Sequence, residues 1–451
     1  MIRNAFGSAG RIPSGGMGMS WQMKAVAAAI GLSAAFGSQA VAADLGGSCC
    51  ADLEERIAEL EATTARKGTR KVSLTISGYI AQEITHWDDG GESNTYIHGL
   101  GPTQTSHVKF NGQATIVPGW TAGYLLRIQD LTGNAFSGGA NAINQFNATK
   151  NDPPNAQMAF WYLQNKDLGK VSIGRMAHAA KSAAMFTDAS GTQIIDNYTF
   201  LAGFPQLIIR SGGDLNPTSL TWGQLAFCYS QALPLGGDCN GIVMNGVRYD
   251  TPTIGGFSFS ASWGEDDFWE IAGRYAGEVA GFKLAFGVGY SEMHDETTTG
   301  AAVARDKDSQ FFQVGGYAQH LATGFFVHAA YGYEDNNDTL LLNGRRAKNG
   351  EHWYVKSGIR KAWLPLGATV IYGDYAQYID QLGPAALALG ATSSTMDRFG
   401  GGIAQEIDAA AMTVYLKYQH YEADMSGAAL SPAATDLDDA DLISLGALIN
   451  F

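Results

Sequence analysis

Side chains suited to catalysis are thinly spread in this chain. Nine histidines are scattered over 451 residues, and the best nucleophile-and-base spacing is His178 with Ser182. That pair lacks the third group that would orient the imidazole. No H-E-x-x-H stretch and no spaced cysteine and histidine cluster is present, so no metal or cofactor is implied. Cys228 and Cys239 could close a short loop in an oxidising compartment, a bond worth about 2 to 3 kcal/mol. Cys49 and Cys50 are adjacent, and a bond between neighbours is strained. The more informative charges are Lys109, Arg127, Arg248, Arg274, Lys283, Lys356, Arg360 and Lys417, with Asn111, Gln113 and Gln129 among them. Each falls on the polar parity of an alternating stretch. Cations gathered on one inner face would be costly in a dry core and cost little beside water, so their chemistry is contact with water and ions.

Strands must position them. From Lys71 the apolar period becomes two: in "KVSLTISGYIAQEI" Val72, Leu74, Ile76, Ile80 and Ile84 alternate with Ser73, Thr75, Ser77, Tyr79 and Glu83. The pattern recurs in seven pairs joined by short turns, such as "SHVKFNGQATIV" and "WTAGYLLRIQD" across Pro118-Gly119, or "AQMAFWYLQN" and "GKVSIGR" across Lys166-Asp167. With the opening strand and a closing strand from Asp441, the count is sixteen. The connections between hairpins are long and polar, the longest running from Met176 to Gly241, and only "GED" before "DFWE" is tight. Short turns on one rim, long loops on the other and an even strand number predict an antiparallel transmembrane β-barrel over 71–451. A soluble β-sandwich would mix its loop lengths and use fewer strands. The Val/Leu/Phe-rich parity then faces lipid, and Tyr124, Trp263, Trp269, Tyr290, Tyr331 and Trp353 fit interfacial girdles.

Composition agrees. Charged residues are 16% of the chain, aromatics 11%, and glycine numbers 57, which suits neither disorder nor a helical bundle. The net charge of -14 argues against nucleic acid as a partner. Residues 1–43 hold Arg3, Arg11 and Lys24, no acid, and the run "AVAAAIGLSAAFGSQAVAA", which together read as a signal peptide cut after "AVA" at Ala40 to Ala42 or one residue later. Losing those three cations takes the charge from -14 to -17. Residues 44–70 carry Leu53, Ile57, Leu60 and Thr64 at heptad spacing, a short periplasmic helix that self-associates or packs on a neighbour.

The stretches "CCADLEERIAELEATTARKGTRKVSLTISGYI" and "GVRYDTPTIGGFSFSASWGEDDFW", with the strand and turn layout, resemble the alphaproteobacterial outer-membrane porin family over essentially the whole mature chain. The resemblance implies a 16-stranded barrel in the bacterial outer membrane, a homotrimer, contact with lipid and lipopolysaccharide, and passive diffusion of small hydrophilic solutes and ions. It further implies that the third long loop folds inward as a constriction, its acids opposite a basic wall. Carried onto this chain, the acids are Asp188 and Asp196 and the wall cations Lys109, Arg127 and Arg248, while Lys181 and Arg210 in the same loop leave the sign of selectivity open. A field between the two sets would orient dipolar solutes. The resemblance also implies that Phe451, closing "DLISLGALINF" at the periplasmic rim, is read by the barrel-insertion machinery. Two other readings stay open: a substrate-specific channel for a sugar or anion, which lumenal aromatics would mark, and a barrel adhesin or receptor working through its loops.

Overall fold

The computed structural model describes residues 72–100, 104–129, 155–199, 207–216, 220–230, 236–240, 243–265, 267–295, 304–336, 338–341, 346–428, 430, 434 and 436–451. The expected signal segment, the helical segment 44–70 and Cys49 and Cys50 lie outside them.

Sixteen antiparallel strands close on themselves. They are β1 Thr75–Asp88, β2 His107–Val117, β3 Trp120–Gln129, β4 Asn155–Asn165, β5 Gly169–Ala177, β6 Val243–Asp250, β7 Phe257–Gly264 and β8 Trp269–Val279. The second half comprises β9 Phe282–Asp295, β10 Ala304–His320, β11 Phe325–Asp335, β12 Gly350–Leu364, β13 Gly367–Ile379, β14 Ser393–Ile407, β15 Met412–Ser426 and β16 Ala440–Asn450. Each pairs with its neighbours in sequence, and β16 returns to β1 in a register running from Tyr79 against Asn450 to Asp88 against Asp441. Closure satisfies every edge inside the membrane, where water cannot. All seven expected hairpins are present. Between β8 and β9, Ala280 (φ 51°) and Gly281 (φ 82°) make a two-residue turn whose positive dihedrals match the twist of the strands.

β1 runs past the Ile84 end of its quoted stretch, because the alternation persists to Asp88 with Trp87 buried inside. Its lower half pairs with β2, and its upper half with a short strand, Ser93–His98, in the first loop.

The outer face is apolar: Ile80, Ile84, Phe259, Phe286, Val327, Ile371, Leu416, Ile443 and Leu445 are all exposed. Aromatics ring it near the long-loop rim, with Trp269 5.4 Å from Tyr290, Trp353 4.7 Å from Tyr375, and Tyr375 5.0 Å from Phe399. A second band follows the short turns through Phe257, Tyr275, Phe282, Trp363 and Phe451. Ring bodies in the acyl region and polar tips at the headgroups suit the two interfaces.

Candidate functional site

The barrel is filled from within. Between β5 and β6 lies the third loop, whose described residues fold into the lumen and pack against β7–β16, and its local sequence explains how. "AHAAKSAAM" carries Ala179, Ala180, Ala183 and Ala184, all fully buried. The wall opposite carries inward glycines. A Cβ at Gly287 would stand 2.1 Å from the Ala183 carbonyl oxygen, and one at Gly315 2.6 Å from that of Ala184. Small residues on both surfaces let backbone meet backbone, and polar side chains then bind the loop's main chain. Arg274 donates to the Ala179 carbonyl at 2.6 Å, Glu270 accepts from the Ala180 amide at 2.5 Å, and Gln313 accepts from the Ala184 amide at 2.7 Å.

Deeper in the loop the anchors are ionic. Lys356 on β12 donates to Asp188 at 2.9 Å, to Thr192 at 3.0 Å and to the Asp196 carbonyl at 2.7 Å. The Asp196 carboxylate accepts from Tyr372 and from Gln419, each at 2.9 Å, and lies 3.5 Å from Arg398, which also pairs with Asp374. Lys417 donates to the Ile195 carbonyl at 2.9 Å and pairs with Glu83 at 3.1 Å. Burial alone would push the Asp188 carboxyl up, but the Lys356 charge and a hydrogen bond from Ser190 overcome it and hold the group at about 2, below its ordinary 3.8.

Asp188 and Asp196 therefore do not look across an open gap at Lys109, Arg127 and Arg248. Both side chains are buried against the far wall. The physical reason is that the loop is a packed lobe rather than a bare arch, so its acids are drawn to the cations beneath it. Its outer part adds an apolar cluster of Leu207, Ile209, Leu220, Trp222, Leu225 and Phe227 with Trp87, Tyr378, Tyr421 and Leu442 of the wall. Cys228 and Cys239 are joined by a disulfide beside Phe311. Ser182 donates to Asp238 at 2.5 Å while His178 bonds Ser262 at 3.2 Å, so those two form no nucleophile and base pair with each other.

The three wall cations separate into two groups. Arg248 reaches Asp250 at 2.7 Å and donates to the carbonyls of Ala177 and His178 at 3.1 Å, so it fixes the start of the loop. Lys109 and Arg127 are partners across β2 and β3, on the side where no described residue of the lobe is hydrogen-bonded to the wall, and both are half-buried. The anchors Arg398, Glu83, Glu270 and Gln313 were not singled out by sequence reasoning. The available signal was small residues at inward positions, "FGVGY" and "VGGY", against an alanine-rich loop.

Strands apolar outside and polar within, closed and narrowed by an inward loop, define a water-filled channel through a lipid bilayer. The chain belongs to the Gram-negative porin family, whose profile matches residues 25–448. It is an outer-membrane protein that forms a channel for passive diffusion of small hydrophilic solutes and ions. Among solved structures it is similar to the anion-selective porin from Comamonas acidovorans, with a TM-score of 0.52 and 15% identity over 84% of this chain and 100% of that one. It is likewise similar to the trimer form of the outer membrane protein OmpT of Vibrio cholerae, with a TM-score of 0.50 and 12% identity over 84% and 99%. At such identities the likeness is one of fold. No curated protein sequence matches the chain.

Proposed function

We propose that this porin conducts along one side of its barrel, between the third-loop lobe and the wall of β2–β5, and that it favours anions there. The observation that carries this reading is the inward parity of that wall: Lys109, Arg127 and Lys170 stand on it, with no carboxylate among its described residues. Asp188, Asp196 and Asp238 of the loop are buried in their own contacts, so they offer little counter-field. Lys181 on the loop adds a further positive charge at its half-buried surface. A narrow, cation-lined passage raises the local concentration of anions.

The assembly we favour is a homotrimer. The outer face of β2–β4 sets Gly112, Ala114, Ala122 and Ala159 among Phe110, Leu126 and Trp161, a surface on which neighbouring barrels can approach closely. On the two stretches quoted for the resemblance, we assign the chain to the alphaproteobacterial branch of the family. We read it as a channel without catalytic activity and Phe451 as an assembly signal.

The test is a planar bilayer holding the full-length protein under a potassium chloride gradient. Currents closing in steps of one third and a reversal potential displaced toward chloride are expected. A cation-directed potential would overturn the anion preference, and a folded but silent protein would overturn conduction itself. Lys109→Gln should shift the potential toward potassium.

A further inference from the structure

The wall of β2–β5 carries something that passage of small polar solutes does not require. On the lumenal parity of β3 and β4, Leu125 is paired with Phe160, Arg127 with Met158, and Gly123 with Tyr162. A Cβ at Gly123 would stand 2.3 Å from the Tyr162 hydroxyl, so that side chain lies across β3 on the lumenal face, and Phe160 shares its parity two residues away. All four of Leu125, Met158, Phe160 and Tyr162 are half-buried. The equivalent inward aromatics of the far wall, Tyr354, Tyr372 and Tyr415, are sealed beneath the lobe. Charge flanks the apolar strip at both ends, as cations alone at one and as an ion pair at the other. Lys109 and Arg127 lie at its extracellular end, and at its periplasmic end Lys170 sits 5.9 Å over the Tyr162 ring, with Asp250 3.4 Å from its ammonium. From the Met158 row to the Gln164 row is six residues, roughly 20 Å of strand.

Resting on the conduction path argued above, we infer that this strip is a binding site for aromatic carboxylates. The ring lies against Phe160 and Tyr162, and the carboxylate faces Lys109 and Arg127. A flat apolar body with one anionic end matches both halves of the surface, which neither acetate nor an uncharged aromatic does. The strip would hold such a solute briefly along its route, speeding its passage at low concentration and blocking ions while it is bound.

The experiment measures potassium chloride current through the reconstituted full-length protein while benzoate, acetate or benzyl alcohol is added. Benzoate should reduce the current saturably, and acetate and benzyl alcohol should not. Phe160→Ala or Tyr162→Ala should raise the half-blocking concentration about fivefold, the loss of one ring contact. Phe160→Leu and Tyr162→Phe serve if the alanine variants assemble poorly; Tyr162→Phe keeps the ring and should retain block, whereas Phe160→Leu should weaken it. Benzoate acting no more strongly than acetate, or block indifferent to these positions, would overturn the inference. Anion-directed reversal potentials with no benzoate block leave the anion reading standing and remove the strip. Benzoate block through Phe160 with a cation-directed potential keeps the strip and removes the anion reading.

Discussion

At Lys356 one ammonium holds three points of the third loop, Asp188, Thr192 and Asp196, each four residues from the next. Such a pair contributes less by its own attraction than by what its loss exposes, since a buried charge stripped of its partner costs about 3 to 5 kcal/mol. Asp188→Asn should therefore loosen the loop, giving larger and noisier single-channel currents, and currents matching the unaltered protein would show the anchor to be dispensable. Acid should do the same. The Asp188 carboxyl is held at about 2, below its ordinary 3.8, so its contribution is fully present above about pH 4 and is lost as the pH falls toward 2. The expected signature is noise that rises in the unaltered protein only in that window, and noise in Asp188→Asn that is already high at neutral pH and does not change with acid.

Among the elements, β9 and β10 owe their inner surface to what they lack. Gly287 and Gly315 leave room for loop backbone that a methyl group would occupy, and over-filling so close a contact costs about 1 to 3 kcal/mol. Gly287→Ala should displace the lobe toward the open wall and lower conductance, whereas Gly373→Ala, whose Cβ would meet its nearest atom at 3.7 Å, should not. A conductance unchanged in Gly287→Ala would mean the loop can give way elsewhere.

The barrel was legible in the residues, because one period of two, repeated sixteen times, leaves no other way to bury Ile80, Leu416 or Leu445 than in lipid. The inward cations were legible by the same parity. Partner choice was not. Nothing local distinguishes Asp188 and Asp196 as acids drawn to Lys356 and Arg398 from acids facing Lys109 and Arg127, since Asp188 and Lys356 stand 168 residues apart and Asp196 and Arg398 are farther apart still. Nor did "AQMAFWYLQN" reveal its inward rings, for both of its parities are apolar.

For the whole molecule, the register that joins β16 to β1 extends through Phe451, whose amide donates to the Gly78 carbonyl at 3.1 Å while Gly78 donates back at 2.8 Å. If Phe451 is an assembly signal, Phe451→Ala should reduce assembled trimer in the outer membrane severalfold while each trimer that forms conducts normally. Equal yields with altered conductance would contradict that role.

The Cys228–Cys239 bond sets an order of events. Both sulfurs are wholly enclosed, behind the strand wall on one side and the lobe on the other. Once the barrel has closed around them, an oxidising enzyme could not reach the thiols. Enzymatic oxidation has to come after the chain leaves the reducing cytoplasm and before the lobe is seated on the wall that encloses the thiols. A chain that reached the membrane unoxidised would be locked in that condition, so periplasmic thiol oxidation acts on this channel as a deadline.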